Sequence, residues 1–246
     1  MTHSDWPYAR VFAHRCGGHL APENTLSALD AAAGWCGGVE FDVMLSGSGS
    51  PILIHDETLE RTTNGVGRVA DTPDETLRRL DAGAWFGPDF AGERLPTFAE
   101  AGRRCRALGL DANVEIKPSW GQDELTGQIV AREARTLWAN ATRPPLLSSF
   151  SEAALHAAAE IAPELPRGLL VEEFPRDWLR RCRALGVVAL HADTRFLDQR
   201  KVRAVVDAGL WLLAYTENEP ARARRLFGWG VSCLITDWPD RIAAPG

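Results

Sequence analysis

The sequence predicts a single TIM (β/α)₈ barrel, and three observations support this fold class. The chain has 246 residues, close to the ~250 residues typical of such barrels. Short β-branched runs alternate with Ala-, Leu- and Arg-rich stretches of helical spacing, a pattern that indicates parallel strands joined by crossover helices. No linker-like segment divides the chain. We therefore expect residues 1–246 to form one domain.

Nine segments are predicted as strands and seven as helices. The strands cover residues 11–15, 39–45, 52–55, 113–117, 146–150, 168–172, 187–191, 211–216 and 233–236. The helices cover residues 24–34, 97–108, 123–139, 151–161, 176–185, 198–208 and 219–228. The first helix is predicted to begin at Asn24 as its N-cap, a position that favours asparagine.

One predicted strand is surplus to a barrel of eight. Only the turn-forming run Ser-Gly-Ser-Gly-Ser-Pro, residues 46–51, separates the second and third strands. Such a turn can close a hairpin, whereas a parallel crossover needs about a dozen residues. Segment 52–55 is therefore expected to pair antiparallel with segment 39–45, outside the barrel count.

The alternation breaks between residues 56 and 96, which are rich in Gly, Thr, Asp and Pro. A stretch this long without regular structure usually has a function in a compact domain. It also carries Leu80, Trp85 and Phe86, which are residue types that proteins tend to bury. We expect a small insertion after the second-strand hairpin, lying over the barrel mouth.

Composition narrows the class of protein. The formal net charge is −6 and the arginines are scattered, whereas a nucleic-acid-binding protein usually carries a basic patch. The five cysteines include no C-x-x-C pair, which argues against a zinc cluster or disulfide framework and for reduced thiols in the cytosol. The first ten residues lack an apolar core and no apolar run reaches 18 residues, so neither a signal peptide nor membrane insertion is expected. Nothing in the sequence indicates an oligomeric state.

Paired carboxylates mark the candidate metal site. Glu40 and Asp42 are two residues apart on a predicted strand, so both side chains face the same side. Glu115 lies on another strand and gives a third carboxylate. Buried together, the three need a counter-charge, and oxygen ligands favour a hard divalent cation: Mg²⁺, Ca²⁺ or Mn²⁺.

Two histidines and two cations are placed to complete a catalytic site. His14 and His55 each end a predicted strand, and a pair of imidazoles can act as general acid and general base near neutral pH. Arg15 and Lys117 are candidate phosphate contacts. Each feature alone has a structural interpretation: a hydrogen-bonded histidine, carboxylates on an edge strand, or a Lys117–Glu115 ion pair. Four predicted strands carry these residues at their ends: His14 on the first, Glu40 and Asp42 on the second, His55 on the third, and Glu115 and Lys117 on the fourth. Their convergence on one barrel rim favours an active site.

These segments resemble the glycerophosphodiester phosphodiesterase family, especially its compact cytosolic bacterial members. The similarity is carried by the strings AHRCGGHLAPENTLSAL, VEFDVMLS, ILIHDETLERTTNG, NVEIKP, LLSSF, GLWLLAYTENEP and GVSCLITDWPD. The resemblance implies hydrolysis of a small glycerophosphodiester, a deacylated phospholipid, to sn-glycerol 3-phosphate and an alcohol. It also implies one Mg²⁺ or Ca²⁺ on Glu40, Asp42 and Glu115, an acid–base pair at His14 and His55, and phosphate contacts from Arg15 and Lys117.

Two residues depart from the family pattern. Cys16 stands where the family usually has glycine, and its side chain is expected either to crowd the loop or to place a thiol beside the site. Glu217 replaces a usual valine, and it is expected either to add charge at the mouth or to be a solvated loop residue.

Two other functions are compatible with the pattern. A related barrel phosphodiesterase could act on intact phospholipids, with Trp85, Phe86 and Phe90 as an apolar rim. A non-catalytic phosphate-ligand binder would be indicated by loss of a histidine or a metal ligand, and all five are present. The pattern is equally compatible with attack by water and with attack by the glycerol hydroxyl through a cyclic phosphate.

Overall fold

A computed structural model describes residues 6–242 of the chain, which places His3 and the other terminal positions outside the described residues. Eight parallel strands form a closed barrel with helices between them, which confirms the predicted fold class. Nine strands are described: β1 (Val11–Ala13), β2 (Gly38–Leu45), β3 (Pro51–Leu53), β4 (Asp111–Ile116), β5 (Leu146–Ser149), β6 (Arg167–Val171), β7 (Ala189–Asp193), β8 (Trp211–Tyr215) and β9 (Cys233–Thr236). Of these, β3 lies outside the barrel. The order of the eight barrel strands is β1-β9-β8-β7-β6-β5-β4-β2, and pairing of β1 with β2 closes the ring.

The helices follow the predicted rhythm, and all seven predicted segments are helical. The helices are α1 (Leu26–Ala32), α2 (Asp74–Leu77), α3 (Phe98–Leu108), α4 (Asp123–Leu137), α5 (Glu152–Ile161), α6 (Trp178–Leu185), α7 (Gln199–Asp207), α8 (Pro220–Trp229) and α9 (Pro239–Ile242). The N-cap prediction for α1 is wrong, because Thr25 caps the helix by accepting a hydrogen bond from the Ala28 amide. Within residues 6–242, none of these helices is both long and apolar enough to cross a bilayer.

The predicted hairpin is confirmed. Strand β3 pairs antiparallel with β2, with Val43 opposite Leu53. The strand stops at Leu53, two residues earlier than predicted, so His55 belongs to the following loop rather than to a strand end. In this loop, side-chain contacts rather than strand pairing set the orientation of the His55 ring.

Side chains along β2 alternate between the helix layer outside the barrel and the barrel interior. Val39, Phe41 and Val43 face outward into the main core against the helices, and the Phe41 ring lies 6.1 Å from that of Phe98. Because side chains alternate along a strand, Glu40 and Asp42 point the other way, into the barrel. Lower in the barrel, apolar side chains fill the interior: Phe12, Leu146, Leu213, Cys233 and Ile235.

Segment 56–96 packs on the hairpin through its own apolar cluster. Leu59, Val69 and Leu77 from the segment meet Met44 and Ile54. Two of the three side chains expected to be buried are not, since Trp85 and Phe86 are 43% and 37% exposed. Leu80 is partly buried against the cluster.

A buried histidine inside the barrel leads to a prediction about acid stability. His191 on β7 has no accessible surface, and neither of its ring nitrogens has a hydrogen-bond partner among the described residues. Burial lowers the pKa of His191 to about 3. The unfolded chain therefore takes up this proton first, near pH 6.5, and the free energy of unfolding falls as the pH drops from about 6.5 towards 3.

At ~1.4 kcal/mol per pH unit, this one group costs about 2 kcal/mol of stability by pH 5. His191→Leu is expected to remove that loss, so urea unfolding at pH 7 and pH 5 should differ less in the variant than in the native protein. The matched control is His156→Leu, at an exposed histidine on α5, which should keep the native pH dependence. An unchanged pH dependence in His191→Leu would contradict the assignment.

Candidate active site

Three buried carboxylates meet at the top of β2 and β4. Glu40 and Asp42 occupy alternate positions of β2, and Asp42 lies opposite Glu115 in the register with β4. Their side chains are buried, and one oxygen from each lies within 4.8 Å of the others. The predicted grouping of Glu40, Asp42 and Glu115 is therefore present in the structure.

The electrostatics of this cluster call for a cation. Burial raises the pKa of Glu40 well above its usual range, and the charges of Asp42 and Glu115 raise it further. Burial followed by the charge of Asp42 raises the pKa of Glu115 to about 8. Burial acts in the same direction on Asp42, but Lys117, His55 and Arg15 outweigh it and hold the pKa of Asp42 below its usual value.

The donor set fits a hard divalent cation. All three cluster residues offer carboxylate oxygens. Below Glu115 on the same face of β4, the buried Asn113 Oδ1 has no hydrogen-bond partner among the described residues. Oxygen donors of this kind suit Mg²⁺, Ca²⁺ or Mn²⁺. The cluster could hold one such ion.

Each candidate histidine is held by a carboxylate. His14 Nδ1 lies 2.6 Å from Asp237 Oδ1, and His55 Nδ1 lies 2.6 Å from Asp56 Oδ1. A carboxylate accepts hydrogen bonds, so each Nδ1 is the donor and Nε2 is the free nitrogen. Both rings line the same cavity as the three carboxylates, and His14 Nε2 lies 3.9 Å from Glu40 Oε2.

The surroundings of the His14 and His55 rings differ. Burial lowers the pKa of His55, and the charges of Lys117 and Arg15 add to the effect, against Asp42 and Asp56. On the other side, Asn218 Nδ2 donates to Asp237 Oδ2 over 2.9 Å and so fixes the carboxylate that holds His14. Hydrogen bonds of this kind lock a catalytic ring in one orientation.

Two cations face the same cavity. Lys117 Nζ lies 3.4 Å from Asp42 Oδ1 and 3.7 Å from Glu115 Oε1, so it contacts both acids rather than Glu115 alone. Arg15 donates through Nη1 to Glu23 over 2.9 Å, while its Nε has no hydrogen-bond partner among residues 6–242. Both side chains line the cavity, where their positive charges can face a bound anion.

Three residues between β1 and α1 have a left-handed backbone conformation. Arg15, Cys16 and Asn24 have φ values of 49°, 77° and 57°, in the left-handed region that favours glycine. The Cys16 side chain is completely buried in the main core, and burial raises the pKa of its thiol. The Cys16 thiol therefore does not line the cavity, although the charges of Glu40, Asp42 and Glu23 add to the rise in its pKa.

Glu217 also differs from both expectations. Its side chain is buried, accepts a hydrogen bond from the Glu219 amide over 2.9 Å and lies 3.1 Å from Arg222 Nε. It does not line the cavity. Glu217 therefore shapes the start of α8.

Two residues that support the site, Asp237 and Asn24, were not predicted. Asp237 directly follows β9, and Asn24 donates through Nδ2 to Asp42 Oδ2 over 2.9 Å. Asp237 carries the same strand-end signal that identified His14, so the sequence could have indicated it. The role of Asn24 depends on its left-handed backbone, which no local pattern reveals.

The cavity has a volume of about 620 Å³, within the range of small-molecule sites. One side carries the carboxylate cluster, the two histidines, Arg15 and Lys117. Two imidazoles, cations that can face phosphate oxygens and a carboxylate cluster that could hold a metal ion lie together at the top of a barrel, an arrangement that fits a phosphoric diester hydrolase.

Comparison with known proteins gives the family. The sequence profile described as "Glycerophosphoryl diester phosphodiesterase family" matches residues 14–241, and the chain belongs to this family. It is 32% identical over 238 residues to a glycerophosphodiester phosphodiesterase of Caldanaerobacter subterraneus subsp. tengcongensis, covering 94% of this chain and 95% of that protein. A glycerophosphodiester phosphodiesterase of Bacillus subtilis is 31% identical over 248 residues, covering 93% of this chain and 83% of that one.

A solved structure supports the same assignment. The phosphodiesterase of Oleispira antarctica, in complex with its product sn-glycerol-3-phosphate, superimposes with a TM-score of 0.91 at 35% identity and covers 98% of both chains. The resemblance inferred from the sequence strings is thereby confirmed.

Proposed function

We propose that this protein hydrolyses glycerophosphodiesters to sn-glycerol 3-phosphate and an alcohol, with one divalent cation bound by Glu40, Asp42 and Glu115. The observation that carries the proposal is the meeting of two carboxylate-held imidazoles with the buried acidic cluster in one cavity. The product in the Oleispira antarctica structure is consistent with it.

The phosphodiester is held by the cations of the site. Arg15 and Lys117 both line the cavity beside the acidic cluster, and their donors can face the non-bridging phosphate oxygens. When bound, a divalent cation would supply positive charge to the phosphoryl transition state. The positive charges of Arg15 and Lys117 also stabilise this transition state.

The histidines move the protons. Each presents its free Nε2 to the cavity, because Nδ1 is engaged by Asp237 or Asp56. One ring can accept the proton of the attacking hydroxyl while the other protonates the departing oxygen. Phosphorus NMR during turnover identifies the nucleophile, since a cyclic glycerophosphate arises only when the glycerol hydroxyl attacks.

The wider organisation forms part of the proposal. Residues 1–246 act as one domain, and segment 56–96 covers the barrel mouth as an insertion. Its Arg61 donates to Glu23 over 2.7 and 2.8 Å and to Asp56 over 2.5 Å, which ties the segment to the loop that carries Arg15. The cysteine usage favours the cytoplasm as the location of the protein.

The test is product identification. Purified protein with Mg²⁺ is expected to release sn-glycerol 3-phosphate from water-soluble glycerophosphodiesters, measured with a coupled glycerol-3-phosphate dehydrogenase assay. Intact phosphatidylcholine in vesicles serves as the competing substrate. A phosphodiesterase that acts on the intact lipid would release choline or phosphocholine rather than glycerol 3-phosphate. Either product from the vesicles, with no turnover of the water-soluble esters, would indicate a phosphodiesterase of intact phospholipids. Binding of glycerophosphodiesters without release would indicate a non-catalytic binder.

A further inference from the structure

The wall of the cavity opposite the histidines has a different chemistry. It is built from the ends of β5, β6 and β8, which lie across the barrel from β1 and β2. Three of its residues, Phe150, Glu172 and Tyr215, are called the aromatic wall below. None of them belongs to the proposed proton-transfer or cation-binding groups.

Two rings of the aromatic wall meet edge to face. The Phe150 and Tyr215 centroids are 6.1 Å apart with planes at 89°. Phe150 is 42% exposed, although it directly follows β5 within a compact fold. Both rings line the cavity, and aromatic side chains commonly line the pockets that bind small molecules.

Apart from the Glu172 carboxylate, the wall offers aromatic rings. The Tyr215 hydroxyl already donates to the Val171 carbonyl over 2.9 Å, and phenylalanine has no polar atom. A glycerol moiety, which needs hydrogen-bond donors and acceptors for its hydroxyls, would find only the acceptor oxygens of Glu172 on this wall. An ammonium group suits such rings, because their faces are electron-rich.

The charge at this wall has the matching sign. Arg195 also lines the cavity, but Asp193 holds its guanidinium over 2.9 and 2.6 Å, so these two charges cancel locally. Among the described residues, Glu172 forms no ion pair within 4.0 Å. Burial raises the pKa of Tyr215, and the carboxylates of Asp193, Glu115 and Glu172 raise it further, which agrees with a negative field at this wall.

We propose that the aromatic wall is the subsite for the leaving alcohol and that it selects alcohols bearing an ammonium group. Phe150 and Tyr215 contact the cation through their rings, and Glu172 supplies the opposite charge. This specificity rests on the proposed glycerophosphodiester hydrolysis, since the wall only ranks substrates for that reaction.

The test compares two esters that differ only in charge. The first is sn-glycero-3-phosphocholine, and the second is its neutral 3,3-dimethylbutyl isostere, in which carbon replaces nitrogen. The measured quantity is the ratio of kcat/KM for the charged ester to that for the neutral one, with Mg²⁺ present. From typical exposed ion pairs and cation–π contacts, the native ratio is expected to be about 10.

Variants assign the ratio to named residues. Glu172→Gln and Phe150→Leu are each expected to lower the ratio about 3-fold. Glu173→Gln removes the same charge at the next residue, which does not line the cavity, and should keep the native ratio. Raising the salt from about 0.01 M to 1 M should lower the native ratio as well, because it shortens the Debye length from ~30 Å to ~3 Å.

The outcomes separate the two proposals. A native ratio near 1, or a ratio that Glu172→Gln does not change, overturns the ammonium subsite while turnover of both esters leaves the hydrolase function standing. No turnover of either ester overturns the hydrolase function itself, and the subsite with it.

Discussion

Replacing His14 or His55 with alanine is expected to lower kcat for glycerophosphodiester hydrolysis by about 10³-fold, within the range that a positioned acid or base contributes. The physical reason is that each ring presents one free nitrogen to the cavity, with the other held over 2.6 Å by Asp237 or Asp56. Coupled assays of glycerol 3-phosphate release measure the loss.

The fold should survive both substitutions. The His14 and His55 side chains are 21% and 29% exposed, so their removal leaves the packed cores unchanged, and circular dichroism and the melting temperature test this. His156→Ala, on the exposed surface of α5, is the matched control and should retain native kcat. Native turnover in either His14→Ala or His55→Ala would contradict the proposed acid–base pair.

Glu40→Gln is expected to abolish the response of the protein to a divalent cation. Native protein with Mg²⁺ at about 100 times its dissociation constant should gain about 2.7 kcal/mol of stability, or roughly 5–10 °C in melting temperature for a chain of this length. The variant keeps an oxygen that can accept from the Arg15 amide, as Glu40 Oε2 does over 3.0 Å, but it lacks the carboxylate charge.

The metal-free variant should melt no lower than metal-free native protein, because the substituted amide removes a charge that burial, Asp42 and Glu115 disfavour. Its affinity for Mg²⁺ by calorimetry should fall more than about 100-fold, since loss of an outer-shell partner alone costs 10- to 100-fold. Glu217→Gln changes a buried carboxylate outside the cluster and should keep the native response. An equal rise in melting temperature in Glu40→Gln would contradict the ligand assignment.

The barrel could be predicted from the sequence because its signals are local. Strand–helix alternation depends on side-chain periodicity, and the short turn at 46–51 alone excluded a parallel crossover between β2 and β3. Boundaries were less accurate: the third strand ends at Leu53 rather than His55, since side-chain contacts of His55 with Asp56 replace strand pairing there.

The cluster could be predicted for the same reason, since alternation on β2 fixes the direction of Glu40 and Asp42. Residues whose roles depend on backbone geometry could not. Asn24 has the composition of an N-cap, but its φ of 57° directs its amide to Asp42, and Thr25 caps the helix instead. Cys16 occupies a left-handed position that turns its thiol into the core.

The partners of the His14 and Glu217 side chains could not be predicted from the sequence. Asp237 lies 223 positions from His14 along the chain, and only closure of the barrel between β1 and β9 brings them together. Glu217 is held by Arg222 across the start of α8, so its burial depends on where that helix begins.

The most direct measurement is release of sn-glycerol 3-phosphate from glycerophosphocholine by native protein that has been stripped with chelator and then supplied with single metals. We expect no release in excess chelator and recovery on adding Mg²⁺, Ca²⁺ or Mn²⁺, because three buried carboxylates within 4.8 Å need a cation before Arg15 and Lys117 can serve the phosphate. Full activity in excess chelator would contradict a metal-dependent phosphodiesterase at this site.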